Sequence, residues 1–346
     1  MKHQTTRYGE IPFYKIGTFG NTADAFISKK LFLEYKTKYS FPKKGDILIS
    51  ASGTIGRAVI YDGKPAYFQD SNIVWIDNDE TLVKNDFLFY AYSNVKWNTE
   101  HTTILRLYND NFRNTLIPLP SLNEQSAIAN ILSGLDRYLC TLDALILKKE
   151  GVKKSLSFEL LSQRKRLKGF NQAWQRVRLG DIANYLTSNL SVEQITQQGE
   201  IKVYDVNNFI GYTDTTFISD KPYISIVKDG SVGRVRILPP KTNILSTMGA
   251  LIANHRTTTE FLFYLLSNFD FKNFTSGSII PHIYFKDYKE KTIFLPSLNE
   301  QSAIANILSA LDNEIASLKN KKRQFENIKK ALNHDLMSAK IRVLKK

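Results

Sequence analysis

With one cysteine in 346 residues, Cys140, an internal disulfide is excluded, and no Cys/His grouping has the spacing of zinc ligands. The five histidines, His3, His101, His255, His282 and His334, are scattered and suggest no metal site. No run of about 18 apolar residues occurs, and the opening MKHQTTRYGE lacks the apolar core of a secretion signal, so a cytoplasmic protein without a membrane span is expected. Acidic residues are also in short supply: 33 Asp and Glu face 47 Lys and Arg, a net charge of +14. Such an excess sets up a field that attracts polyanions, nucleic acid first among them. What is plentiful is apolar residue, 42% of the chain, which excludes a disordered basic tail. The length exceeds what one core usually serves, so more than one domain is expected.

An internal repeat supplies the division. Leu119 to Ser133 reads LPSLNEQSAIANILS, and the same fifteen letters return at Leu295 to Ser309, 176 residues later. FLFYAYSN from Phe87 returns as FLFYLLSN from Phe261, and the turn Gly53 to Arg57 returns as Gly230 to Arg234. An offset of half the chain means two tandem copies of one large unit rather than a solenoid of short ones. Each copy has a divergent front and a nearly invariant back, so the back is expected to serve a shared partner and the front to read something different.

The fronts carry short β-branched and aromatic runs broken by Gly, Pro and Asn, which predict strands at 46–50, 58–61, 72–76, 201–204, 223–227 and 234–238. Short helices are expected at 86–94 and 260–268. The backs differ. Pro120 and Pro296 end a preceding strand, then Ser121-x-x-Glu124 and Ser297-x-x-Glu300 form capping boxes that open helices of about 40 residues. The stripe Leu135, Leu142, Val152 and Leu156, and its counterpart Leu311, Leu318, Phe325, Ile328 and Leu332, predicts that the two helices pair with each other. The fold class expected is α+β: two tandem α/β domains with twisted sheets, separated by two long helices forming an antiparallel coiled coil with pseudo-twofold symmetry. The expected divisions are 1–118, 119–168, 169–294 and 295–346.

At this point the residues resemble a family. Two variable domains, each closed by a segment of the LPSLNEQSAI type leading into a long helix, look like the specificity subunit of a type I restriction-modification enzyme. Leu119 to Arg166 and Leu295 to Arg342 match its conserved regions, and the GxxGR turns with their strands match its target recognition domains. The resemblance implies that each domain reads one half of a bipartite double-stranded DNA site. The helices would fix the spacer and dock two methyltransferase subunits, and restriction subunits would join that core. S-adenosylmethionine, ATP and Mg would then be bound by those partners, with no cofactor or metal in this chain. One departure stands out. The second copy has Trp174-x-x-Val-Arg178-Leu-Gly-Asp-Ile182 ahead of its first strand, whereas the first copy starts only at the equivalent of Gly199. The first reader is therefore expected to be short at its front, or partly completed by the tail 341–346.

Several side chains are suited to DNA. Arg57 and Arg234 close the glycine turns, where amides approach phosphate and an Arg reaches phosphate or guanine. Gln69, Ser71 and Asn72 carry groups that pair with base edges, Gln and Asn with adenine. Arg106 and Tyr108 align with His282 and Tyr284 just before the common segment, and paired positions of differing chemistry are what separate half-sites require. Lys153 and Lys154, with further lysines and arginines on both helices, could follow backbone phosphates. Each has a structural alternative: a hairpin glycine, a satisfied turn amide or a solvated helix face. Enzyme signatures are missing. The aminomethyltransferase tetrapeptide does not occur, and neither glycine turn matches a nucleotide loop. The triplets Glu34-Tyr-Lys36 and Asp287-Tyr-Lys289 lack a partner acid placed ahead of them in both copies. A non-catalytic subunit is the expectation. A coiled-coil scaffold, or a DNA-binding protein with no restriction role, is the alternative.

Overall fold

The structure, a computed structural model, describes residues 4–68, 72–97 and 106–344. It divides into two units: unit 1 holds residues to 143 together with 320–346, and unit 2 is the continuous stretch 144–319. Among the described residues, no helix is long and apolar enough to cross a membrane.

In unit 1, β1 (Ile11–Tyr14) pairs antiparallel with β2 (Ala25–Ile27), which leads into α1 (Lys29–Lys38). A second layer is built from β3 (Ile47–Ser50) and β4 (Ala58–Ile60). The strand β5 (Tyr67–Phe68) lies parallel to β1, and β6 (Ile73–Trp75) pairs antiparallel with β3. The helices α2 (Asn85–Tyr92) and α3 (Asn109–Arg113) precede α4 (Leu122–Leu161).

Unit 2 repeats this plan with additions. It opens with β7 (Gln175–Arg178) and β8 (Ala183–Thr187), and then β9 (Ile201–Tyr204), β10 (Phe209–Thr213) and the later β13 (Thr242–Ile244) form a three-stranded sheet. As in unit 1, one of those pairings is antiparallel and the other parallel. The second sheet runs β12 (Val235–Leu238), β11 (Tyr223–Val227), β14 (Met248–Ala253), β8, all antiparallel. After α5 (Thr259–Ser267) come the hairpin β15 (Thr275–Ser276) and β16 (His282–Ile283), the short α6 (Phe285–Tyr288), and β17 (Thr292–Leu295), which pairs with β7. Last is α7 (Leu298–Met337). The strand order β4-β3-β6 thus matches β12-β11-β14, and among the described residues only unit 2 has a fourth strand beside it.

Both 40-residue helices run unbroken, α4 through Gly134 and Gly151, although each glycine costs about 1 kcal/mol relative to alanine. Tertiary packing offsets that cost. In unit 1, the buried Leu132, Leu336 and Met337 meet Phe87 and Tyr90 of α2, and Tyr138 lies 4.7 Å from Phe325 across the two helix segments. In unit 2, the buried Leu160, Ile304 and Leu308 meet Phe261 and Tyr264 of α5. Within each unit the segments are antiparallel, as the ion pairs show: Lys322 with Asp143 and Lys329 with Asp136 in unit 1, Lys149 with Glu314 and Lys153 with Asp312 in unit 2.

The seam differs from the expected apolar stripe at two equivalent positions. Val152 and Ile328 are 45% and 51% exposed and face outward, while the next residues, Lys153 and Lys329, face the neighbouring segment. Leu142 is buried; Leu135, Leu156, Leu311, Leu318, Phe325 and Leu332 are half-buried, and Ile146 and Ile315 are buried beside them. The lysines reach aspartates that also accept from tyrosine. Tyr90 Oη donates to Asp136 Oδ2 at 2.7 Å, and Tyr264 Oη to Asp312 Oδ2 at 2.9 Å. Burial, then the hydrogen-bonded carboxylate, raises both phenols well above their ordinary range.

A second joint sits at each helix start. The buried Gln301 accepts from Thr257 Oγ1 and the Thr258 amide, and donates to the carbonyls of Arg256 and Pro296, at 2.9 to 3.0 Å. Gln125 does the same for Lys84, Leu82 and Pro120. The capping box holds by half: Ser121 and Ser297 accept from the amides of Glu124 and Glu300 at 3.4 Å, but neither glutamate turns back to cap. Instead Glu300 receives both Nε and Nη2 of Arg166, and Glu124 receives both from Arg342. The tail thus supplies unit 1 with the counterpart of Arg166, not of the leader at 174–182.

Two outcomes follow from these joints. Gln301→Leu keeps the volume but leaves buried amide and carbonyl groups unpaired, and is expected to destabilise unit 2 by about 1–3 kcal/mol in denaturant titration. Arg342, hydrogen-bonded to Glu124, holds that carboxyl below its ordinary value. The stabilisation is therefore complete above the ordinary carboxylate range and is lost as pH falls through the lowered folded value. Glu124→Gln is expected to flatten this acid limb, read as hydrogen exchange of residues 338–344 from roughly pH 7 to 3.

Candidate nucleic-acid interface

In unit 1 the loop between β3 and β4 is shaped by two glycines in the left-handed region, Gly53 at φ 68° and Gly56 at φ 79°. Ser50 closes it: its carbonyl accepts from the Gly56 amide, and its hydroxyl donates to the Thr54 carbonyl and accepts from the Arg57 amide. Arg57, expected at DNA, uses Nη1 to hold the Phe19 carbonyl at 3.0 Å, although its residue surface is exposed. Its role here is partly structural.

Beside this turn a polar junction forms. Ser52 forms a β-bridge with Arg106, Ser52 Oγ donates to Asn72 Oδ1 at 2.9 Å, and Arg106 Nη2 donates to the same oxygen at 3.0 Å. Two of the expected residues, Asn72 and Arg106, are thus brought together, and Tyr108 stands exposed two residues on, at the start of α3. Gln69 and Ser71 lie outside the described residues.

Unit 2 builds the same junction from other side chains. Gly230 at φ 83° and Gly233 at φ 79° shape the loop between β11 and β12, and Arg234 is exposed. Asp229 forms a β-bridge with His282, with 3.6 Å between Asp229 Oδ1 and His282 Nδ1. The Gly230 amide donates to Pro281 and the Ile283 amide to Lys228, fixing the β15–β16 hairpin to the turn. Tyr284 follows, half exposed, with Lys286 Nζ 5.4 Å from its ring centre. At the hairpin tip Ile279 is 92% exposed. Position for position, Ser52 and Arg106 of unit 1 stand where Asp229 and His282 stand in unit 2.

Lys153 is a correction to the expected DNA set. It is held in the helix seam by Asp312, with Nζ 5.8 Å from the Tyr264 ring centre, whereas Lys154 is exposed. Arg166 is likewise bound to the buried Glu300. Tyr185 was not singled out from sequence. Its ring stacks on Phe285 at 4.5 Å, and burial, with Asp229 nearby, raises its phenol above the ordinary range. The signal was Gly249 in a strand, since a Cβ there would collide with Tyr185.

The turn glycines differ in what they tolerate. A Cβ on Gly233 would lie 2.6 Å from Phe271, whereas one on Gly230 meets nothing within 4 Å. Gly230→Ala is expected to cost about 1 kcal/mol for the left-handed backbone alone, and Gly233→Ala at least about 1 kcal/mol more, compared by chemical denaturation.

Comparisons with known proteins bear on this geometry. The family model described as type I restriction modification DNA specificity domain matches residues 1–149 and again 171–327. A putative type I restriction enzyme specificity subunit of Haemophilus influenzae is 64% identical over 133 residues, 38% of this chain and 34% of that protein, so this match spans about a third of the relative. The putative MjaX specificity subunit of Methanocaldococcus jannaschii is 28% identical over 337 residues, 86% of this chain and 79% of that one. Among solved structures, the S subunit of a type I restriction-modification system from M. genitalium superposes with a TM-score of 0.64 at 21% identity, covering 97% of this chain and 91% of that one, a likeness of fold. With two matched segments covering most of its length, the chain belongs to the family of type I restriction-modification DNA specificity domains and carries that domain twice.

Proposed function

We propose that this chain is the non-catalytic specificity component of a type I restriction-modification assembly and reads a bipartite site in double-stranded DNA, one half with each unit. The observation that carries this reading is the pair of equivalent junctions, Ser52–Asn72–Arg106 and Asp229–His282, which keep one backbone frame and differ in hydrogen-bonding chemistry. An arginine offers donors suited to guanine O6 and N7, while an Asp–His pair offers an acceptor with a donor. Two copies with identical junctions would read one half-sequence twice; these two read different ones.

The remaining roles follow from the same assignment. The exposed Arg234 and Lys154 contribute salt-dependent phosphate contact. Tyr108 and Tyr284 present amphipathic rings beside the junctions. The outward Val152 and Ile328 lie on the surface offered to two methyltransferase subunits, and the helices set the length of the unread spacer. Methyl transfer, cleavage and their cofactors, S-adenosylmethionine, ATP and Mg, belong to the methyltransferase and restriction subunits.

Methylation by the reconstituted assembly, with modified bases located by sequencing, tests this reading. Arg106→Ala is expected to relax only one half of the recognised sequence and His282→Ala only the other, each by about 10- to 100-fold in discrimination at the position read. A continuous unsplit motif, or a single substitution that alters both halves, would refute it.

A further inference from the structure

Just ahead of His282, unit 2 presents an apolar tip that the Asp229–His282 junction does not use. Ile279 and Ile280, in the loop joining β15 to β16, are 92% and 56% exposed. A single exposed isoleucine on a loose loop would be ordinary. This pair is held in place. Gly277 turns the chain at φ 92°, and a Cβ there would collide with the Ile280 carbonyl oxygen and lie 2.8 Å from His282 Nε2, so the loop closes over its own base.

The base is tied to the reading junction. β15 pairs with β16 in the register Thr275 to Ile283 and Ser276 to His282. The Pro281 carbonyl accepts from the Gly230 amide at 2.8 Å, and the Ile283 amide donates to the Lys228 carbonyl at 2.9 Å, one tie on each side of His282. The tip is thus carried in fixed register with the junction, and Ser278, Ile279 and Ile280 stand clear in solvent.

The surroundings fit DNA. Arg234 is exposed at the end of the glycine turn to which the hairpin is tied, and Lys286 is exposed beside Tyr284. Such cations suit phosphate, whereas lysine is depleted at the centre of protein interfaces. A two-stranded ribbon fits the major groove, about 12 Å wide, whose base edges the neighbouring junction is assigned. An isoleucine offers no donor or acceptor there. The apolar group which that groove presents is the C5 methyl of thymine.

We propose that Ile279 is a specificity-determining residue that reads a thymine by packing on its C5 methyl, with the β15–β16 ribbon in the major groove of the half-site belonging to unit 2. This rests on the reading of bipartite DNA above and adds to it a base recognised without a hydrogen bond. Reach sets where that thymine lies. Ile279 is three residues from His282, an extended span of at most about 10 Å, and base pairs rise about 3.4 Å each. The thymine therefore falls within about three base pairs of the position His282 reads.

Deoxyuridine in place of thymine removes that methyl and leaves every pairing group unchanged, so it isolates the contact. The reconstituted assembly, with its methyltransferase subunits, is titrated at fixed salt with duplexes carrying single deoxyuridine changes across the half-site that His282→Ala assigns to unit 2. One position is expected to lose about three- to fivefold in affinity, the effect of one buried methyl. Ile279→Ser, a change on the solvated tip, is expected to bind the thymine and deoxyuridine duplexes equally, and Gly277→Ala, which displaces the tip, to do the same. Deoxyuridine in the other half-site is expected to act alike on the wild type and both variants. A half-site without an A·T pair, the lack of any deoxyuridine-sensitive position in it, or a sensitivity that survives Ile279→Ser overturns the proposal and leaves the bipartite reading intact. So does a loss in Ile279→Ser that is equal for every base and comes with straightened DNA, the mark of an apolar wedge. An unsplit motif, or binding by the wild-type assembly without sequence preference, overturns both.

Discussion

A buried glutamine at the start of each long helix is the constraint on which the rest of each unit depends. Gln125 and Gln301 occupy the point where three strands of backbone meet: the end of the front domain's last loop, the entry to α2 or α5, and the first turn of α4 or α7. Each meets backbone polar groups that would otherwise lie buried and unpaired. One joint alone leaves a hinge. The Tyr90–Asp136–Lys329 and Tyr264–Asp312–Lys153 contacts, about three helical turns further along, supply a second point and fix the short helix flat against the long one. A loop that reads chemistry is only as accurate as the elements that carry it, and here the carrier is held at two places.

The comparison between copies separates scaffold from reader in physical terms. Every side chain in the two joints recurs in type: Gln125 and Gln301, Glu124 and Glu300, Arg342 and Arg166, Asp136 and Asp312, Tyr90 and Tyr264, Lys329 and Lys153. A buried polar network tolerates few alternatives, because losing one member strands its partners. Of the junction residues beside the glycine turns, Asn72, Arg106, Asp229 and His282 are only half-buried, so their exchange costs less and changes what is presented. That asymmetry is why the backs are nearly invariant and the fronts are not.

Much of this was legible in the letters. The repeat, both long helices, the short helices α2 and α5, and the strands β3, β4, β6, β9, β11 and β12 follow from periodicity and β-branched runs. Other strands escaped because their composition contradicts their state: β14, Met-Gly-Ala-Leu-Ile-Ala, reads as weak strand and is held by the pairings on both its sides. The helix seam misled for a related reason. Hydrophobicity favoured Val152 and Ile328, but an aspartate on the facing segment and a tyrosine from the front domain make lysine the inward residue one position later. The glutamates of the expected capping boxes found arginines 134 and 218 residues away, a pairing that the matching offset of Arg166 and Arg342 announced but local pattern could not. At the interface, Asn72 and Arg106 were picked for their chemistry, and their mutual contact came from the bridge between Ser52 and Arg106, which is tertiary.

Unit 1 is assembled from residues at both ends of the sequence, whereas unit 2 is one uninterrupted stretch. On a ribosome the two therefore face different waits. Residues 144–319 can close their core as soon as the last of them emerges, but the buried Leu336 and Met337 that cover Phe87 and Ile128 arrive only after the whole of unit 2 has been made. Until then the first 143 residues keep an apolar face open to chaperones or to other chains. Order of completion runs against order of synthesis: the half begun first is the half finished last.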